Sequence, residues 1–164
     1  MELDYAKTKK KIRTGAIIIM AGSGYLILSN SFGAIAWDSL EVQKIFQNNR
    51  IPIQGLDMLM NYYIEICMTL ATMGLLFLIG GFFLYRLQAW ATKWLTVIAC
   101  ISLIGAIAMT CWVGQMISEI VHPMIAVIIM IISSSFELAP LIFMIWFLNR
   151  KSIQLVLKDK PGLT

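Results

Sequence analysis

The chain has 164 residues, of which 59% are hydrophobic and 13% charged, with a mean hydropathy of +0.80, and this composition excludes an ordinary soluble domain. The net charge of +4 does not point to nucleic acid, because Lys and Arg stand at the ends of apolar runs rather than among aromatics on a polar surface. An all-α integral membrane protein is expected, folded as one transmembrane domain over residues 1–164.

Residues 1–14 carry Lys7, Lys9, Lys10, Lys11 and Arg13 directly before the first apolar run, as a cytoplasmic anchor does. The first span is predicted over 15–37, long enough to cross about 30 Å of hydrocarbon with some tilt. A cleavable secretory signal is the rival reading of the same pattern, with Ala34 and Ala36 as small residues before Trp37. Residues 38–60 form the outer loop. There Asp38 and Glu41 are spaced as in a capping box, and Val42, Ile45 and Phe46 recur at helical spacing, which predicts a short interfacial helix ending before Pro52.

The second span is predicted over 61–85. Asn61, Glu65, Thr69 and Thr72 follow one another at four, four and three residues and share one helix face. Glu65 falls within about one turn of the outer end, where a carboxylate still reaches water. A tight basic hairpin, Arg86 to Lys93, leads to a third span over 94–114. Its Ser102, Ala106, Thr110 and Gly114 stand four apart, a small-residue stripe that lets another helix approach closely. Glu119 and His122 fall in the second outer turn, where a capping and interface role is expected, and Pro123 suits the first turn of a fourth span over 123–148. Residues 149–164 form a basic cytoplasmic tail. Phe83-Leu84-Tyr85-Arg86 and Phe147-Leu148-Asn149-Arg150 end the even-numbered spans alike, an echo compatible with a duplicated helical hairpin.

The charges set the expected topology. Five Lys and Arg lie in the N-terminal arm, two in the 86–93 hairpin and four in the tail, against two in the first outer loop and none in the second. This bias predicts an antiparallel four-helix transmembrane bundle with both termini cytoplasmic, in a bacterial inner membrane. Trp37 and Trp112 at the outer boundary and Trp90, Trp94 and Trp146 at the inner one fit an aromatic belt.

The most costly residues lie in the fourth span, where Ser133, Ser134, Ser135 and Glu137 precede Pro140. Glu137 stands 13 residues before Arg150 and so about 20 Å above the inner boundary. Ionised insertion there costs roughly 2.5 to 3.5 kcal/mol, so the carboxyl is expected to face other helices. Two readings fit: a protonated acid that joins helices by a hydrogen bond, or a proton- or cation-handling group. Pro140 deprives the carbonyl of Phe136 of its helical donor, and nearby serines or water are expected to satisfy it.

Chemistry beyond this is sparse. Cys67, Cys100 and Cys111 lack redox or zinc spacing and read as packing residues. Cys67 and Cys111 lie at nearly equal depth, about 27 to 29 Å from the inner basic residues, and would pair if spans two and three are neighbours and the outer side is oxidising. One histidine builds neither a multi-histidine metal or haem site nor a Ser-His nucleophile at depth, and no phosphate-binding glycine loop is present. No cofactor or metal is expected.

A carboxyl in the middle of a fourth span resembles the larger proteolipids of rotary ATPases, whose Gly- and Ala-rich helices are lacking here. Size and span number resemble the small multidrug transporters, whose essential acid lies in the first span, where this chain has none. Leu84-Tyr85-Arg86-Leu87-Gln88-Ala89-Trp90-Ala91 and Phe147-Leu148-Asn149-Arg150-Lys151-Ser152-Ile153 resemble the hairpin and closing segment of small bacterial four-span membrane proteins. That resemblance covers 15 residues and implies a fold without an activity. The leading expectation is a non-enzymatic accessory or scaffold subunit in the lipid bilayer that packs against itself or a membrane partner. The alternative is a small proton- or cation-linked carrier using Glu137, reached from outside along the Asn61 to Thr72 face. A membrane enzyme acting on lipid or quinone comes third.

Overall fold

A computed structural model describes residues 2–39, 61–120 and 122–158. Among them there is no strand. The helices are α1 (Glu2–Ser39), α2 (Tyr63–Tyr85), α3 (Ala89–Ile120), α4 (Pro123–Leu148) and α5 (Lys151–Lys158). By length and composition three segments are able to cross a membrane: Tyr5–Trp37, Tyr63–Tyr85 and Ala89–Ser118. The number rises to four if Leu138–Leu148 and Lys151–Lys158, bent by 53°, count as one broken span. The architecture is therefore all-helical and compatible with a membrane bundle. The interfacial helix expected around Val42 to Phe46 lies outside the described residues.

Several helices are longer than the apolar runs alone predict. The basic arm is not separate from the first span, because Lys and Arg are good helix formers and α1 runs without a break for 38 residues. The Arg86 to Lys93 hairpin shrinks to three residues for a similar reason: Ala89 to Lys93 already form the first turns of α3. The chain reverses at Leu87, whose φ of 59° is in the left-handed region. The Leu87 N–H donates to the Leu84 carbonyl (2.8 Å) and the Gln88 N–H to that of Phe83 (3.1 Å). This paired pattern closes a helix C-terminus, ordinarily around glycine. Leucine accepts the strained backbone here because its side chain is 7% exposed and packs into the core.

Pro123 opens α4 as the first-turn proline, and the His122 ring Nδ1 accepts from the Met124 N–H (3.4 Å), so His122 caps the helix. α4 continues through Pro140. The tail then forms α5, an element that the sequence reading leaves without structure. Ile153, Val156 and Leu157 stand at i, i+3 and i+4 and are buried, while Lys151, Ser152 and Lys158 are exposed.

The core sits at one end. Ile12 and Ala16 of α1, Leu84 of α2, Leu87 in the turn, Ala91 and Leu95 of α3, Leu148 of α4 and all three buried residues of α5 belong to one cluster. Three arginines gather around it. Arg13 lies over the Tyr85 ring (5.5 Å), Arg86 over Phe82 (4.5 Å) and Arg150 over Trp146 (3.9 Å). The last two repeat one device, a cation stacked on the aromatic four residues earlier, with a wholly buried leucine between. We call this the basic end.

Away from it the contacts become pairwise. Gly33 lies against Tyr63 and Cys67, Gly74 against Ser23, Leu26 and Ile27, and Gly81 against Ala16 and Met20, so α1 follows α2 along its length. At Gly74 an added Cβ would lie 3.2 Å from the Ser23 carbonyl oxygen, which makes glycine the residue that permits this approach. α3 and α4 form the second pair, with Met130 filling the space beside Gly114.

Candidate functional site

The polar face of α2 is where the expected site residues gather most clearly. Asn61, Glu65, Thr69 and Thr72 are all exposed. Cys67, Gly74 and Gly81 mark the side of α2 that meets α1, and at 100° per residue the polar stripe falls roughly opposite them. The threonine hydroxyls are satisfied locally, Thr69 donating to the Glu65 carbonyl (2.7 Å) and Thr72 to that of Met68 (2.8 Å). The Glu65 carboxyl and the Asn61 amide remain as groups that a neighbour can engage.

In α4 Ser134 and Ser135 bond to the preceding turn. Ser134 donates to the Met130 carbonyl (2.6 Å) and Ser135 to that of Ile131 (2.6 Å), one turn earlier, rather than to the carbonyl of Phe136 that Pro140 leaves free. The side chains of Ser133 and Glu137 lie outside the described residues, as does that of Glu119.

On α3, Gly114 is buried against Met130, and Ser102, Ala106 and Thr110 are half-buried. The Ser102 Oγ is buried without a hydrogen-bond partner among the described residues. The small residues thus lie along a partly covered helix face. Cys67 and Cys111 are free thiols and do not pair in this structure. Cys67 turns toward α1, its Sγ 3.5 Å from the position a Gly33 Cβ would take, beside the Tyr63 hydroxyl at 3.1 Å from the same point. Cys111 is exposed on α3, so the equal depth of the two does not bring them onto facing sides. Trp37 closes this corner, its ring 4.7 Å from that of Tyr63. Among the described residues no three His, Cys, Asp or Glu side chains cluster as metal ligands.

A feature that sequence reasoning missed is a groove of about 700 Å³ between α1 and α4, floored by Phe77 of α2. Lys7, Lys10 and Lys11 stand at one end, and Ile18, Leu26, Phe143 and Phe147 line its length. The signal was present: Lys7, Lys11, Thr14, Ile18 and Gly22 recur at four, three, four and four residues, one continuous face. Reading the lysines only as a topology signal hid it. No known family, curated protein or solved structure matches this chain.

Proposed function

We propose that this chain is a non-enzymatic, multi-pass membrane protein whose spans form an antiparallel bundle with both termini cytoplasmic, and that it works as an interaction subunit. The orientation is supported by eleven Lys and Arg in the three segments that meet at the basic end, against two in the long loop. The observation that carries the subunit role is the exposed stripe of Asn61, Glu65, Thr69 and Thr72. On the helix it runs from Glu65 to Thr72, about 10 Å, with Asn61 just before the first turn, and the part of it that enters hydrocarbon is stabilised by facing another helix rather than lipid. In an 18-residue apolar window of each of the three candidate spans only 17 to 28% of residues are buried inside the chain, so most of that surface is left for lipid or other chains.

The partner expected first is a second copy, joined along α2. Crosslinking in native membranes through cysteine at Thr69, followed by size measurement in mild detergent, tests this. A species larger than the monomer that is lost in the Asn61→Leu, Glu65→Leu double variant supports the reading. A chain that stays monomeric and captures no membrane partner rejects it. The competing carrier reading makes a different claim, that Glu137→Gln abolishes pH-driven flux in proteoliposomes while leaving the assembly unchanged.

A further inference from the structure

We propose that the groove between α1 and α4 binds one anionic phospholipid of the leaflet at the basic end, its acyl chain along the groove and its phosphate held by Lys7, Lys10 and Lys11. The proposal rests on the membrane reading above but not on the subunit role. Three observations carry it, concerning length, lining and charge.

Beyond the lysines the groove runs along α1 from Thr14 to Leu26, about 18 Å at the rise of a helix, against about 15 Å for half of a 30 Å hydrocarbon core. It therefore reaches from the headgroup level to about the bilayer midplane, the depth of a single acyl chain. Its volume of about 700 Å³ falls in the range of sites that enclose a small molecule.

Among the described residues the lining suits a tail and offers no free polar handle at depth. The one hydroxyl well inside, Ser23, is buried and already donates to the Ile19 carbonyl (2.6 Å). Two glycines play different parts. At Gly15 a Cβ would lie 2.7 Å from the Phe147 ring, so that residue lets α1 and α4 touch and close one side of the groove. At Gly22 a Cβ would meet nothing within 4 Å, so the missing side chain leaves open space within the groove.

The charge is placed at the headgroup end only. Lys7, Lys10 and Lys11 are exposed and lie at i, i+3 and i+4, and among the described residues no acidic side chain lines the groove. Arg13, by contrast, is held over the Tyr85 ring. A chain-shaped apolar slot with three ammonium groups at its mouth is complementary to an anionic amphiphile and not to a zwitterionic one.

The test is native mass spectrometry of the full chain in detergent micelles supplemented with phosphatidylglycerol or phosphatidylcholine. One phosphatidylglycerol per chain is expected to be retained, about 10-fold or more in preference to phosphatidylcholine. Lys7→Gln, Lys10→Gln and Lys11→Gln together should remove that preference, with Lys9 and Arg13 left to hold the orientation. Gly22→Phe should remove retention of either lipid while helicity and thermal midpoint do not fall. Equal retention of the two lipids, or binding indifferent to the triple variant or to Gly22→Phe, overturns the proposal. So does a wild-type chain that holds no lipid and whose oligomer dissociates on Gly22→Phe, since a helix then fills the groove. Resistance of the chain to carbonate extraction from membranes, measured separately, shows whether a negative result belongs to the lipid site or to the membrane reading itself.

Discussion

The basic end and the far end of this molecule are made of similarly apolar helices but are held by different means. At the basic end the helices share one cluster, in which Ile12, Leu84, Leu95 and Leu148 are among the most completely buried side chains. At the far end contacts are made by pairs: Gly33 with Tyr63 and Cys67, Gly114 with Met130. Large side chains such as Tyr25 and Phe32 are more than 70% exposed there. On the membrane reading proposed above, burial from water, close packing and arginine stacking act together at the basic end, whereas in hydrocarbon packing contacts between helices replace the hydrophobic effect. The far end accordingly presents the surfaces, including the polar stripe of α2, on which lipid or another chain is expected.

The largest effect that tests this contrast is truncation in the shared cluster. Leu84→Ala and Leu148→Ala should each cost about 2 to 5 kcal/mol in reversible unfolding, while Tyr25→Ala should change stability by less than about 0.5 kcal/mol. Comparable losses at both ends would erase the distinction. Next is the glycine contact of the first pair. Gly74→Ala should destabilise by about 1 to 3 kcal/mol, because the new methyl meets the Ser23 backbone and the Ile27 side chain, whereas Gly22→Ala, facing open space, should stabilise by up to about 1 kcal/mol through helix propensity.

The turn gives a smaller and more specific difference. Leu87→Ala loses a buried side chain and keeps the strained φ, while Leu87→Gly loses the same side chain and relieves the strain. The glycine variant should be the more stable of the two by about 1 kcal/mol, and an equal pair would show that the left-handed backbone carries no cost there. The smallest effect concerns thiols. In detergent, Cys100 and Cys111 should react with a small methanethiosulfonate reagent before Cys67, which α1 covers. Equal rates at all three would mean that the far half of the first pair is open.

The course of the α-helices followed closely from runs of apolar residues, since a helix that is apolar on all sides needs no partner to be recognised. Their ends were less legible. α1 and α3 extend past their apolar runs because helix propensity and backbone hydrogen bonding do not stop where hydropathy does. α5 was overlooked although Ile153, Val156 and Leu157 carry the helical period, because an amphipathic segment of eight residues is marginal by itself and gains its order from the cluster it covers. The alignment of Cys67 and Cys111 failed differently. Depth along a helix follows from counting residues, but the facing direction depends on which neighbour each helix takes.

By itself the sequence determined that this chain is helical, apolar over most of its length and basic in three segments, because composition, period and charge position are local properties. Tertiary structure alone decided that those three segments surround one core, that α2 turns its polar stripe away from α1, and that Lys7, Lys10 and Lys11 stand at the mouth of a groove completed by Phe143 and Phe147. These arrangements depend on contacts between residues far apart in the chain, 51 positions for Ser23 and Gly74 and 132 for Gly15 and Phe147, and such contacts are set by the shapes of packed helix faces, which no single stretch of sequence contains.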